Sequence, residues 1–124
     1  MSKVKSKYVD VYLLPVSKTK LAAYKALARK CSKIFKDHGA IRYREYIGVD
    51  LKTMGGPMAF TKVIKLKAGE VLVYSCVEFK NKTARKKWLK GVMQDPRMDC
   101  MMDMKPIFDM KRMVVGGFSV IVDT

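Results

Sequence analysis

The sequence is poor in the residues that usually announce chemistry. It has one His and one Trp in 124 residues, and a single His excludes any metal or catalytic constellation that needs two. Its three cysteines, Cys31, Cys76 and Cys100, are far apart and form no CxxC. That excludes a disulfide framework and a four-cysteine zinc site, and it suits a reducing, cytoplasmic location. There is no internal repeat and no Pro/Ser-rich linker. No apolar run approaches the roughly 18 residues of a membrane span. The apolar stretch Val9 to Val16 is broken by Asp10 and lacks a small-residue cleavage site, so neither a signal peptide nor a membrane anchor is expected. Acidic charge is also scarce: 11 Asp and Glu stand against 26 Lys and Arg, a net charge of +15.

What is present is enough for a folded body. Hydrophobic residues make up 49% of the chain, and the length fits one domain spanning residues 1–124. Tyr8 to Leu14 alternates as a strand that Pro15 should end, with Ser17 as the N-cap of the first helix. Lys18 to His38 has helical periodicity. Leu21, Tyr24, Leu27, Ala28, Cys31, Ile34 and Phe35 share one face, and Lys18, Lys25, Arg29, Lys33 and Lys36 lie nearly opposite. Gly39 is placed to stop this helix. Ile41 to Ile47 reads as a second strand, with Arg42, Arg44 and Tyr46 on one side and Ile41, Tyr43, Glu45 and Ile47 on the other. Asp50 to Ala59, centred on Gly55-Gly56-Pro57, is the longest loop, and Phe60 to Leu66 is irregular or a short strand. Val71 to Phe79 is a third strand, rich in β-branched and aromatic residues. Lys82 to Met93 is a second helix, burying Ala84, Trp88, Leu89, Val92 and Met93. Asp95-Pro96 opens a short helix that turns Met98, Met101 and Met102 inward. Met113 to Val122 is a last strand, whose Gly116-Gly117 indicates a bulge or a close backbone approach.

The order β-α-β-β-α-β defines an α+β, ferredoxin-like fold: a four-stranded antiparallel sheet with both helices on one face. The other face must meet something. On the sequence reading it carries Asp10, Tyr12 and Leu14 from the first strand and Leu72, Tyr74, Cys76 and Glu78 from the third.

The segments YVDVYLLPV, LAAYKALARK, HGAIRYREYIG, KLKAGEVLVYS, VMQDPRM and FDMKRMVVGGF, in this order and spacing, resemble the small bacterial YbaA-like family of unknown function. The chain departs from that family's pattern at Cys76, where Trp is usual, in the loop Lys52 to Pro57, and at Met110, where Gly is usual. The resemblance implies a dimeric α+β barrel, in which two ferredoxin-like protomers pack sheet against sheet with their helices outside. It implies no reaction, because activity resides in a site and not in a fold.

Asp10, Tyr12, Arg44, Tyr74, Cys76 and Glu78 are the candidate site residues. They form either a cavity between the two sheets for a small polar or aromatic ligand, or the dimer interface itself, where Tyr and Arg are common anchors. No cofactor and no metal is indicated. The methionine-rich stretch from Met93 to Met113 has the spacing of a helix face, which favours core packing over a copper(I) site. His38 reads as a helix-end residue stabilised by the macrodipole in preference to a general base or haem ligand.

The charge offers an alternative partner. Residues 18–36 hold seven Lys or Arg and residues 80–90 hold six, with no acid in either stretch. Lys25, Arg29, Lys33, Lys36, Arg85, Lys86 and Lys90 would form an outward basic surface able to attract nucleic acid. RNA-recognition folds share this element order and stack bases on aromatics of strands one and three. Tyr12 and Tyr74 occupy comparable places here, but the Lys/Arg-Gly start and the second aromatic of the third-strand signature are missing. The excess charge therefore reads first as the coat of a dimer.

Overall fold

The computed structural model describes residues 5–99 and 107–124. Its elements are strand β1 (Tyr8–Ser17), helix α1 (Leu21–Asp37), strand β2 (Arg42–Ile47), strand β3 (Glu70–Phe79), helix α2 (Lys82–Gln94) and strand β4 (Val114–Ser119). The strands form one sheet in the order β2-β3-β1-β4, every pair antiparallel. This is the ferredoxin-like arrangement. Ile34 of α1 and Trp88 and Val92 of α2 share one core cluster with Val77 and Phe79 of β3, so both helices cover the same face.

Local chemistry sets the boundaries. Ser17 accepts the Thr19 N–H at 3.4 Å and opens a 3-10 turn, Lys18–Lys20, before α1 begins. The helix thus starts three residues later than its periodicity suggests. Gly39, at φ 103°, takes the left-handed turn that ends α1. Asn81 accepts the Ala84 N–H at 2.8 Å and caps α2.

Several expectations need correction. β1 continues through Pro15 to Ser17. The last residue of β1 paired with β4 is Leu13, opposite Val114; among the described residues only β3 pairs with β1 beyond it, and a residue lacking an N–H is tolerated there. Of the two alternatives for Phe60 to Leu66, the irregular one holds, with a 3-10 turn at Phe60–Lys62. Asp95 caps a second one, Pro96–Met98, by accepting the Arg97 N–H, and only Met98 of the three expected inward methionines falls within the described residues. Met93 is 77% exposed instead of buried. β4 spans only Val114–Ser119. At Gly117 a Cβ would lie 1.9 Å from the Tyr8 hydroxyl, which is the close approach that the glycine pair indicated.

The core beneath the helices is aromatic. Phe79, fully buried, meets Trp88 edge-on at 4.9 Å between ring centroids, and Phe35 meets the same indole at 5.1 Å. Truncating a ring packed in this way typically costs about 3–5 kcal/mol.

Candidate functional site

Strand register decides which side chains meet. Residues paired across neighbouring strands point to the same face. Tyr8, Asp10, Tyr12, Leu14 and Val16 of β1 therefore lie with Val73, Ser75, Val77 and Phe79 of β3 and with Tyr43 and Glu45 of β2. Tyr8, Tyr12, Tyr43, Val77 and Phe79 belong to one core cluster and Leu14, Val16 and Val73 to the other, which places this face under the helices. The opposite face, which no helix among the described residues covers, carries Val9, Val11 and Leu13, with Tyr74, Cys76 and Glu78 of β3, Arg42, Arg44 and Tyr46 of β2, and Val114 and Phe118 of β4.

The six candidate site residues are thus divided. Arg44, Tyr74, Cys76 and Glu78 share the open face, whereas Asp10 and Tyr12 lie inside, toward the helices. The correction has a physical cause. Both rows of β1 are apolar enough to face a core, and a partner on α2 compensates Asp10. Asp10 is only 1% exposed; Arg85 Nε donates to its two oxygens at 3.0 and 3.2 Å, and Tyr12 donates at 3.3 Å. Tyr12 and Tyr74 lie on opposite faces and cannot form one base-stacking platform.

The open face is more apolar than the sequence reading made it. Val9, Val11 and Leu13 replace Asp10, Tyr12 and Leu14 there, beside Tyr74, Tyr46, Val114 and Phe118, which are 37–56% exposed. Arg44 Nη1 donates to Tyr46 Oη at 3.1 Å, and Tyr46 meets Tyr74 edge-on at 5.4 Å. Burial, followed by the nearby Glu78 carboxylate, pushes the Cys76 thiol above its ordinary pKa, so it is a poor nucleophile.

A cavity of about 210 Å³ lies between α1 and the inner sheet face. The small side chains of Ala28, Cys31 and Ser75 leave this space, and the rings of Tyr12, Tyr24, Phe35 and Tyr43 frame it, with Phe108 and Met113 also in its wall. Behind the wall sits Glu45. Its Oε1 accepts from the Tyr24 hydroxyl at 2.7 Å; its Oε2 accepts from Ser75 Oγ at 2.8 Å and from the Tyr43 hydroxyl. Burial, reinforced by Glu45, raises the Tyr24 and Tyr43 phenols far above their ordinary pKa of 10. Burial and Asp10 do the same for Tyr12. All three remain protonated donors across the physiological range.

Sequence reading missed this cluster. A usable signal was present: Glu45 is the one acid in the row Ile41, Tyr43, Glu45, Ile47, on a strand face that would otherwise turn inward. Ser75 and Tyr24 join it through long-range pairing, which no local pattern reveals.

His38 lies at the C-terminal end of α1, as expected, and its Nε2 is 2.8 Å from Asp95 Oδ2. Arg97 donates to Asp95 and also reaches Asp37 at 2.8 Å. Arg97, followed by His38, holds the Asp95 carboxyl well below its usual range. Gly91 makes room for the imidazole, since a Cβ there would be 2.3 Å from Nδ1. These groups tie the ends of α1 and α2 together. Of the proposed basic surface, Lys25, Arg29, Lys33, Lys36, Lys86 and Lys90 are exposed. Arg85 is the exception, being turned inward onto Asp10.

Comparison with known proteins places this geometry. The model of a protein family of unknown function, DUF1428, matches residues 7–110. The uncharacterized protein YbaA of Escherichia coli K12 is 36% identical over 117 residues, covering 94% of this chain and 98% of YbaA. The chain belongs to the DUF1428 family. YbaA of Shigella flexneri matches to the same extent, so the YbaA-like resemblance extends over nearly the whole domain. Two solved dimeric ferredoxin-like proteins from uncultured marine organisms share the fold of this DUF1428 member. One superposes with a TM-score of 0.59 at 9% identity, covering 97% of this chain and 100% of the other. The second gives 0.53 at 10% identity, covering 99% and 95%. Among the described residues, no helix is long and apolar enough to cross a membrane.

Proposed function

We propose that this DUF1428 protein is a homodimer that binds a small, largely apolar molecule in the cavity beneath α1 of each protomer. The cavity carries the reading. A site of this kind is concave and apolar with a few fixed polar groups. At about 210 Å³ it exceeds the roughly 150 Å³ cavity known to hold benzene, so it suits one substituted ring. It takes the place of the space between two sheets that the sequence reading proposed for the ligand. Toluene should perturb the NMR signals of Leu27, Ala28 and Val77, and Ala28→Phe, which fills the space, should abolish the effect. Absence of any perturbation at saturating toluene would refute the reading.

The dimer is proposed through the open sheet face. Its exposed Tyr46, Tyr74, Val114 and Phe118, together with Val9, Val11 and Leu13, form a patch that a monomer would leave in water. The two solved proteins sharing the fold are described as dimeric, which supports a second copy as the occupant. In that arrangement Arg44, Tyr74, Cys76 and Glu78 are interface residues. Sedimentation equilibrium should give twice the chain mass, and Val11→Glu, which places a charge at the centre of the patch, should give the monomer. A monomeric parent protein would remove this part of the proposal. A cytoplasmic location accompanies the reading, on the ground of the three unspaced cysteines.

The exposed row Lys25, Arg29, Lys33 and Lys36, with Lys86 and Lys90, favours a second reading: nonspecific docking of nucleic acid on the outer helices. It predicts oligonucleotide retardation at low salt that falls steeply toward physiological salt. No retardation at low salt would dispose of it.

A further inference from the structure

The cavity wall is selective for one class of ligand. Among the described residues, four with hydroxyl groups line it: Tyr12, Tyr24, Tyr43 and Ser75. Each hydroxyl has one proton to donate, and each is hydrogen-bonded to a carboxylate. Tyr24, Tyr43 and Ser75 donate to Glu45, and Tyr12 donates to Asp10. The protons therefore point away from any ligand, and what these hydroxyls can offer it is oxygen lone pairs. The arrangement is durable because a phenol–carboxylate bond is charge-assisted and stronger than a neutral one. The raised phenol pKa values keep the protons in place.

We infer that the natural ligand is a small, mainly apolar molecule bearing a hydrogen-bond donor, a hydroxyl or a protonated amine, and that carboxylates and acceptor-only molecules are rejected. The inference rests on the cavity reading above and names the ligand class for it. A donor on the ligand can satisfy the lone pairs that these hydroxyl oxygens keep. A carboxylate would lose its hydration with no donating hydroxyl to replace it, and would approach Glu45, which makes no ion pair among the described residues.

Phenol, anisole and benzoate test this on the intact protein, with toluene as the uncharged reference, by NMR titration. Phenol should bind about tenfold more tightly than anisole, the worth of one well-placed donor, and benzoate about 100-fold more weakly than phenol. Glu45→Gln supplies an amide that donates to one hydroxyl and frees that hydroxyl's proton toward the cavity. The phenol-to-anisole ratio should then fall to about twofold, with circular dichroism unchanged. If toluene binds but anisole or benzoate equals phenol, or if Glu45→Gln folds and leaves the ratio unaltered, the inference is wrong while the cavity stands. If toluene fails as well, the cavity reading falls and takes the inference with it.

Discussion

Replacing Arg85 by Ala isolates the most exacting interaction in the domain. Asp10 is 1% exposed and receives three hydrogen-bond contacts, two from Arg85 Nε and one at 3.3 Å from Tyr12. Removing the guanidinium leaves a carboxylate in the core with a single long neutral donor. Breaking a buried pair from one side costs about 3–5 kcal/mol; Arg85, with 28% of its side chain accessible, puts the expectation near the lower end, about 3 kcal/mol. For a chain of 124 residues, an unfolding entropy of about 2.1 cal/mol/K per residue converts this to a fall of about 12 °C in Tm. The assay is thermal unfolding at fixed protein concentration, because dimerisation makes Tm depend on concentration. The double variant Asp10→Val, Arg85→Met removes the charge together with its partner and should recover more than half of the loss. A fall below about 4 °C in Arg85→Ala, the scale of a surface ion pair, would refute the claim that Arg85 makes the burial of Asp10 tolerable.

Other contacts predict three further outcomes. Burial and the carboxylates raise the pKa of Tyr12, Tyr24 and Tyr43. Spectrophotometric titration should therefore leave these phenols un-ionised at pH 11 in the folded protein, and their stabilising effect, complete below pH 10, should decline as pH rises further; ordinary titration of all six tyrosines near pH 10 would contradict the cluster. Hydrogen bonds from Arg112, followed by that from the Lys67 backbone, lower Glu70 from 4.5 to about 2. A depressed carboxyl stabilises the fold above its unfolded pKa, so the contribution should disappear between about pH 4.5 and 2, and Arg112→Ala should flatten stability across that window; an unchanged acid limb would count against the pair. Gly91→Ala should displace His38 from Asp95, lower stability by about 1–3 kcal/mol and shift the His38 ring NMR signals, whereas an unchanged imidazole signal would show that the ring had room.

The order of elements was legible because each has a strong local pattern. The apolar stripe of α1, the β-branched run of β3, the Ser17 cap and Gly39 each act within a few residues. The side of the sheet that faces the helices was not legible from β1 alone. Val9, Val11 and Leu13 are as apolar as Tyr8, Tyr12 and Leu14, so alternation gives the two rows without giving their direction. Arg85 looked like a surface cation because angular position on a helix takes no account of a carboxylate on a neighbouring strand. The candidate site shows the same limit. Glu45 could have been singled out as an acid in an apolar row, but its meeting with Tyr24 and Ser75 depends on the docking of α1 and on the β2–β3 register.

The central claim is that the space beneath α1 holds a small donor-bearing molecule, and crystals of the protein soaked in phenol test it most directly. Electron density for one ring per protomer is predicted among Leu14, Phe35 and Val77, with the phenol oxygen within hydrogen-bond distance of a hydroxyl of Tyr24, Tyr43 or Ser75. Density instead on the outer sheet face beside Tyr46 and Tyr74, with the inner space empty, would contradict the account.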